Sequence, residues 1–187
     1  MNAQQIKDMQ EYLGVQPDGF WGPKSISACQ KHLRSLMPKP NPWPDTDQKS
    51  LTAFFGKPGD EERLTSLFVK DLDVRYDGSP VKTILCNDRV SKSLRTILER
   101  IAASEFNWVL DKYDGCFNNR PMRGGSLPSL HARGAAIDLC QEANQNFSIW
   151  PQKATMPLGV MEIFAKEGWM PAGAFWLRDA MHFQATQ

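Results

Sequence analysis

Histidine occurs three times in the 187 residues, as His32, His131 and His182. Two of the three lie close to carboxylates in patterns that suit a metal. His131 precedes Asp138 in Ser129-Leu130-His131-Ala132-Arg133-Gly134-Ala135-Ala136-Ile137-Asp138, and His182 closes Asp179-Ala180-Met181-His182. A catalytic zinc takes three protein ligands from this palette and keeps a fourth position for water. Two neutral imidazoles and one carboxylate leave the complex positively charged, which acidifies that water. Asp179 is then the natural general base, taking a proton from the water and passing it to a leaving amine. Taken singly, each residue also reads as an ordinary polar residue, and Asp179 as a turn or surface carboxylate. The combination is what points to chemistry. Cys140 is an alternative fourth ligand, but it would close the position that catalysis needs.

Several elements must bring these residues together. A strand over 135–140 alternates, with Ala135, Ile137 and Leu139 toward a core and Ala136, Asp138 and Cys140 the other way. Gly134 lets the chain turn between the His131 loop and that strand. A last strand over 180–184 buries Met181 and Phe183 and points His182 and Gln184 into a cleft. Strict alternation sends Asp179 to the opposite face, so the chain must bend there or Asp179 must precede the strand. Apolar spacing predicts helices over 3–13, 23–36, 49–55, 88–104 (with Asp88 as its cap) and 158–166. β-type runs predict strands over 65–70, 80–86, 106–111 and 174–177, with Asp77-Gly78 as a hairpin signal. Residues 112–127 read as loop. The fold class is α+β: a mainly antiparallel sheet with packed helices, preceded by a small helical module.

Four prolines in Met37-Pro38-Lys39-Pro40-Asn41-Pro42-Trp43-Pro44 predict a semi-rigid linker. The chain divides into a helical module at 1–36, a linker at 37–46 and a catalytic domain at 47–187. A net charge of +1 gives no electrostatic reason to bind nucleic acid or an anionic membrane. No apolar run is long enough to insert into a bilayer, and the first residues lack the apolar stretch of a cleavable secretory signal. Cys29, Cys86, Cys116 and Cys140 form no CxxC pair, so free buried thiols are expected. Trp150, Trp169 and Trp176 could line a groove, although core packing is the expected role for at least two of them.

Two resemblances sharpen this reading. Leu13-Gly14-(x)3-Asp18-Gly19-Phe20-Trp21-Gly22-Pro23-Lys24-Ser25 resembles the core of the peptidoglycan-binding repeat of cell-wall hydrolases, which implies wall contacts from Asp18, Gly19 and Trp21. A plain helix–turn–helix cap on the main domain is the alternative. Ser129-x-His131-(x)6-Asp138 with Asp179-x-x-His182 resembles the zinc peptidases that include D-alanyl-D-alanine carboxypeptidases and phage L-alanyl-D-glutamate endopeptidases. That resemblance spans about residues 43–185. It implies Zn2+ on His131, Asp138 and His182, with Asp179 catalytic. It also implies substrate binding by an upstream arginine, best matched by Arg120 and next by Arg123, and a supporting role for Ser129. Ala132-Arg133 departs from the family's usual residues and is expected to touch the groove wall rather than the metal.

The resemblance further implies a monomeric phage-type endolysin cutting the stem peptide of peptidoglycan, at the L-Ala–D-Glu bond by preference. D-Ala-D-Ala carboxypeptidase activity and a non-catalytic, zinc-stabilised wall-binding protein are the alternatives. Such a protein would be made in the host cytoplasm, pass a holin-type pore and act on the wall from the periplasm.

Overall fold

The computed structural model describes residues 1–187. Its first two helices are built from local signals. Asn2 caps α1 (Ala3–Tyr12) in a capping box with Gln5, and Pro23 opens α2 (Pro23–Leu36) at its first turn. The turn between them is pinned from within by Gln10, which is buried. Its amide donates to Asp18 Oδ1, the Phe20 carbonyl and Ser25 Oγ, and its carbonyl accepts from Gly19 N.

These 36 residues pack onto the rest of the chain. Trp21 is buried edge-on against Trp150, with ring centroids 5.3 Å apart, and His32 Nε2 meets Glu162 Oε1 at 2.7 Å. The Pro-rich stretch is seated as well. The Trp43 indole lies between Phe54 and Trp169 and donates to the Glu167 carbonyl, and Asn41 donates to the Gly168 carbonyl. One apolar cluster therefore runs from Ile6 through Trp43 to Ala185.

Asp47 caps α3 (Gln48–Phe55) through bonds from Lys49 N and Ser50 N. β1 (Leu64–Phe68) pairs antiparallel with β4 (Thr83–Asn87). Asp77 and Gly78, both with positive φ, turn a separate short hairpin of β2 (Arg75–Tyr76) and β3 (Ser79–Pro80). α4 (Ser91–Ala102) buries Leu94, Ile97, Leu98 and Ile101. α5 (Leu158–Lys166) buries Val160, Met161, Phe164 and Ala165. The sheet that holds the site is antiparallel, in the order β5 (Tyr113–Gly115), β6 (Ala136–Leu139), β8 (His182–Gln184), β7 (Met170–Pro171). The architecture is α+β, as the residue pattern predicts.

Four local expectations are corrected, the first being the loop over 112–127, in which Tyr113–Gly115 is drawn into the sheet as β5 by pairing with β6. Residues 106–111 form no strand: Asn107–Lys112 is a 3₁₀ helix that buries the consecutive pair Val109 and Leu110, which an alternating strand would split between two faces. Residues 174–177 also form no strand. Ala172–Phe175 is a short helix, α6, whose Gly173 lets it close on Ala180 and Met161. Asp88 does not cap α4, which starts at Ser91 after Val90. Its backbone is committed elsewhere, with its N–H on the Arg63 carbonyl and its carbonyl accepting from Ser91.

Gly134 is the tightest joint near the site. Its φ is +63°, and a Cβ there would stand 2.7 Å from the Asn87 amide nitrogen. Its carbonyl accepts from that same nitrogen at 2.9 Å, so the chain cannot retreat without breaking the bond. Gly134→Ala combines left-handed strain with a backbone clash and is expected to cost about 2–4 kcal/mol. Urea denaturation of the two proteins measures it. A loss below about 0.5 kcal/mol would mean the turn is free to relax.

Candidate metal centre

β6 and β8 are in a register that places Asp138 opposite His182. Directly paired residues of an antiparallel ladder share a face and bring their Cβ atoms close together. The third member enters from the 3₁₀ turn Leu130–Arg133, capped by Ser129, whose Oγ accepts from His131 N at 3.3 Å. All three side chains are buried. His131 Nε2 lies 3.2 Å and His182 Nδ1 lies 3.1 Å from Asp138 Oδ1, and the two nitrogens are 3.1 Å apart.

The outer ring nitrogens decide what this triangle is. His131 Nδ1 lies 2.7 Å from the Cys116 carbonyl oxygen, which can only accept. His182 Nε2 lies 3.1 Å from Gln184 Oε1. The Gln184 amide donates to Thr186 Oγ1 at 2.7 Å and turns its oxygen to the histidine. Both imidazoles thus carry their proton on the outer nitrogen. The inner nitrogens and the Asp138 oxygen then turn three lone pairs toward one point. Such a triangle repels itself unless a cation sits among the three. A tetrahedral metal with bonds of about 2.0–2.1 Å needs donor atoms about 3.3 Å apart, close to the separations here. The donor set, its spacing and its outer partners all fit a divalent metal, and they form the one group of this kind among the histidines, cysteines and carboxylates of the chain.

Cys140 does not join them. The chain enters the left-handed region there, at φ +57°, and the thiol turns away to the Val109 carbonyl. Burial pushes this thiol up to about 12, far from the thiolate that metal binding requires. All four cysteines are free and buried.

The bend at Asp179 exists and is sharp. Leu177 and Asp179 both take positive φ, +61° and +58°, and His182 N donates to the Asp179 carbonyl at 2.9 Å. Asp179 therefore precedes the strand and lines the same cleft as the three ligands. Burial raises its carboxyl above the usual range, His182 opposes this, Asp138 adds to it, and the Arg123 charge opposes it. Asp179 Oδ1 is buried and has no hydrogen-bond partner. An unpaired buried carboxylate oxygen calls for a reason, and a base facing a water or an amine supplies one.

In the metal-free triangle, where protons take the metal's place on the inner nitrogens, burial works against the Asp138 charge, yet hydrogen bonds from His131 and His182 outweigh it and hold the carboxyl well below its ordinary value. Burial likewise opposes the charged form of His182, and the hydrogen bond and charge of Asp138 overcome it, so the imidazole is raised.

The cleft holds about 230 Å³ and is lined by Arg120, Arg123 and Ser129 as well as the ligands. The Arg120 loop is tied to the metal turn through the backbone: Ser129 N donates to the Arg120 carbonyl and Asn118 N to the His131 carbonyl. Arg133, in contrast, does not reach the groove wall. It is buried against α3, bonded to Gly56 O, Gln48 Oε1 and Thr52 Oγ1. Trp150 and Trp169 are core residues, while Trp176, 42% exposed, stacks over His182 with centroids 5.6 Å apart.

Residue spacing puts Gln184 on the right face without revealing its job, and it gives no sign of the Cys116 carbonyl. Outer partners of metal-bound histidines typically govern 10–100-fold in affinity. Gln184→Leu keeps the volume and removes the acceptor, and it is expected to weaken metal binding about 10-fold in competition with a chromogenic chelator. Unchanged affinity would remove Gln184 from the site.

A buried His-Asp-His face on an antiparallel sheet, open to a cleft with a free carboxylate, is the arrangement of a mononuclear metallohydrolase. Residues 123–185 match the family profile described as D-alanyl-D-alanine carboxypeptidase. The matched stretch contains all three ligands and Asp179, and it supports a zinc peptidase of the kind that acts on peptidoglycan. No curated protein and no solved structure matches the chain.

Proposed function

We propose that this protein is a zinc-dependent peptidase that hydrolyses the stem peptide of peptidoglycan. The observation that carries the reading is the convergence of three metal-directed lone pairs and the unpaired Asp179 oxygen on one cleft. His131, Asp138 and His182 would hold Zn2+, which when bound supplies a Lewis acid that makes water a nucleophile at neutral pH. The protein's own groups do the rest. Cys116 and Gln184 keep both imidazoles in the tautomer that leaves the inner nitrogens free. Asp179 takes a proton from the attacking water and returns it to the departing amine. Arg120 offers a guanidinium to the oxygen that becomes negative as the carbonyl is attacked, and Ser129 holds the turn bearing His131.

The favoured bond is L-Ala–D-Glu, as expected of an endolysin released through a holin-type pore to reach the wall from the periplasm, with D-Ala-D-Ala carboxypeptidase activity as the second reading. Residues 1–36 would serve as the wall-binding module through the turn at Asp18 and Gly19, without the contact expected of Trp21, whose ring is buried. The Trp21 ring faces Trp150, so the solvent-facing aromatic of that turn is Phe20, 66% exposed. Mass spectrometry of digested peptidoglycan tests the proposal. New N-terminal D-Glu indicates the endopeptidase, loss of the terminal D-Ala indicates the carboxypeptidase, and undigested wall in the presence of zinc would leave only a binding protein.

A further inference from the structure

The cleft carries more positive charge than the reaction uses. Arg120, Arg123 and Arg178 all line it, and its carboxylates are Asp138 and Asp179. Three arginines of the chain are ion-paired, all outside the cleft: Arg75 with Asp73 and Asp111, Arg95 with Asp71 and Glu99, Arg100 with Glu167. None of the three cleft arginines has a carboxylate partner within salt-bridge distance. Arg120 bonds only the carbonyl of its neighbour Pro121. With a divalent metal balanced by the two aspartates and Arg120 given to the developing oxyanion, the guanidiniums of Arg123 and Arg178 remain to meet an anion.

The position of two of them says which part of the substrate is anionic. Arg178 is next to Asp179 in sequence, held between two left-handed residues, Leu177 and Asp179, whose fixed backbone sets where it emerges. Arg123, three residues after Arg120, lines the same cleft as Asp179, and its charge acts on that carboxyl. Asp179 serves the departing amine, so the residue released with that amine lies in the cleft that Arg123, Arg178 and Asp179 line together. A guanidinium recognises a carboxylate through paired N–H donors, with more directional demand than an ammonium group makes.

We propose that Arg178, together with Arg123, binds the α-carboxylate of the residue whose amine is released, and so makes a free carboxylate there a condition for efficient cleavage. The assignment rests on the peptidase reading and deepens it. It applies to either bond, because D-Glu after L-Ala and the terminal D-Ala after D-Ala both carry their α-carboxylate on the carbon that bears the departing nitrogen. Amidation of that carboxyl removes the charge and one acceptor while keeping the shape.

The test uses the full-length zinc-loaded protein and two pairs of peptides. One pair is L-Ala-γ-D-Glu-meso-diaminopimelate and its D-Glu α-carboxamide. The other ends in D-Ala-D-Ala as the free acid and as the amide. For whichever pair is cut, the parent protein is expected to prefer the acid by about 10-fold or more in kcat/KM, mainly through KM. Arg178→Gln is expected to lose about 10-fold on the acid and little on the amide, so the preference collapses, and Arg178→Lys should restore part of it. Calorimetric binding of the product γ-D-glutamyl-meso-diaminopimelate and its α-amide to the metal-free protein gives a readout apart from turnover, with the same preference expected. Equal cleavage of acid and amide by the parent protein overturns the assignment and leaves the peptidase reading intact. So does a loss in Arg178→Gln that is the same for both. Cleavage of neither pair overturns the peptidase reading, and this assignment with it.

Discussion

Asp179→Asn is expected to lower kcat by about 10³-fold on any substrate the protein cleaves, with bound zinc and folding unchanged. Asparagine suits the test for a structural reason. Asp179 sits at φ +58°, a conformation asparagine tolerates better than alanine does, so the bend that places the side chain survives. The amide keeps the shape and loses the basicity. The Asp179 carbonyl continues to accept from His182 N, so the metal ligand keeps its backbone anchor. The measurements are steady-state rates and metal content on the same preparation. A rate within 10-fold of the parent would remove Asp179 as the base. Lost zinc would instead mean that the carboxylate supports the metal.

The second large effect is an opposite pH response in the metal-free and zinc-loaded proteins. Without metal, Asp138 is depressed and His182 raised. A depressed carboxyl contributes stability above its unfolded value, about 3.9, and loses it as pH falls through the folded value. A raised imidazole contributes stability below its unfolded value, about 6.5, and loses it as pH rises through the folded value. The pair therefore favours the metal-free fold between about pH 4 and pH 6.5 and less so above. Asp179, raised mainly by burial, works in the same direction as His182, since keeping its proton becomes harder as pH rises.

Zinc reverses the trend. Its ligands must be unprotonated, so protons compete with it and its stabilisation grows with pH. Melting temperatures at pH 5.5 and 7.5 are expected to fall for the chelated protein and rise for the zinc-loaded one. His182→Ala should abolish the zinc-dependent part at both pH values, along with detectable hydrolysis. Parallel pH trends with and without zinc would mean that the triangle is a hydrogen-bonded cluster and not a metal site.

Much of this site is legible in residue order because its parts are local. His131 and Asp138 are seven residues apart, with a turn and a short strand between them, and Gly134 marks the joint. The period-2 pattern after it puts Asp138 on the open face. His182 and Gln184 share a face for the same reason. The long apolar stripes of α4 and α5 are equally plain, since each is fixed by spacing within a single helix. The strands expected over 106–111 and 174–177 fail for the converse reason. Short apolar runs fit more than one backbone, and here a 3₁₀ turn buries two consecutive side chains while a small-residue helix closes on Ala180.

By itself, then, the order of residues pointed to the candidate ligand types and their spacing, and determined the α+β class and the need for a bend before His182. Tertiary structure decided the rest. The register of β6 on β8 brings Asp138 to His182, and no local pattern fixes which residue of one strand faces which residue of another. Cys116, fifteen residues from His131 and far from any motif, becomes its partner through a backbone carbonyl, a group every residue has. The three cleft arginines come from a loop and from a bend. Their lack of carboxylate partners is a property of the space around them, where Asp138 and Asp179 share the cleft but stand beyond salt-bridge distance.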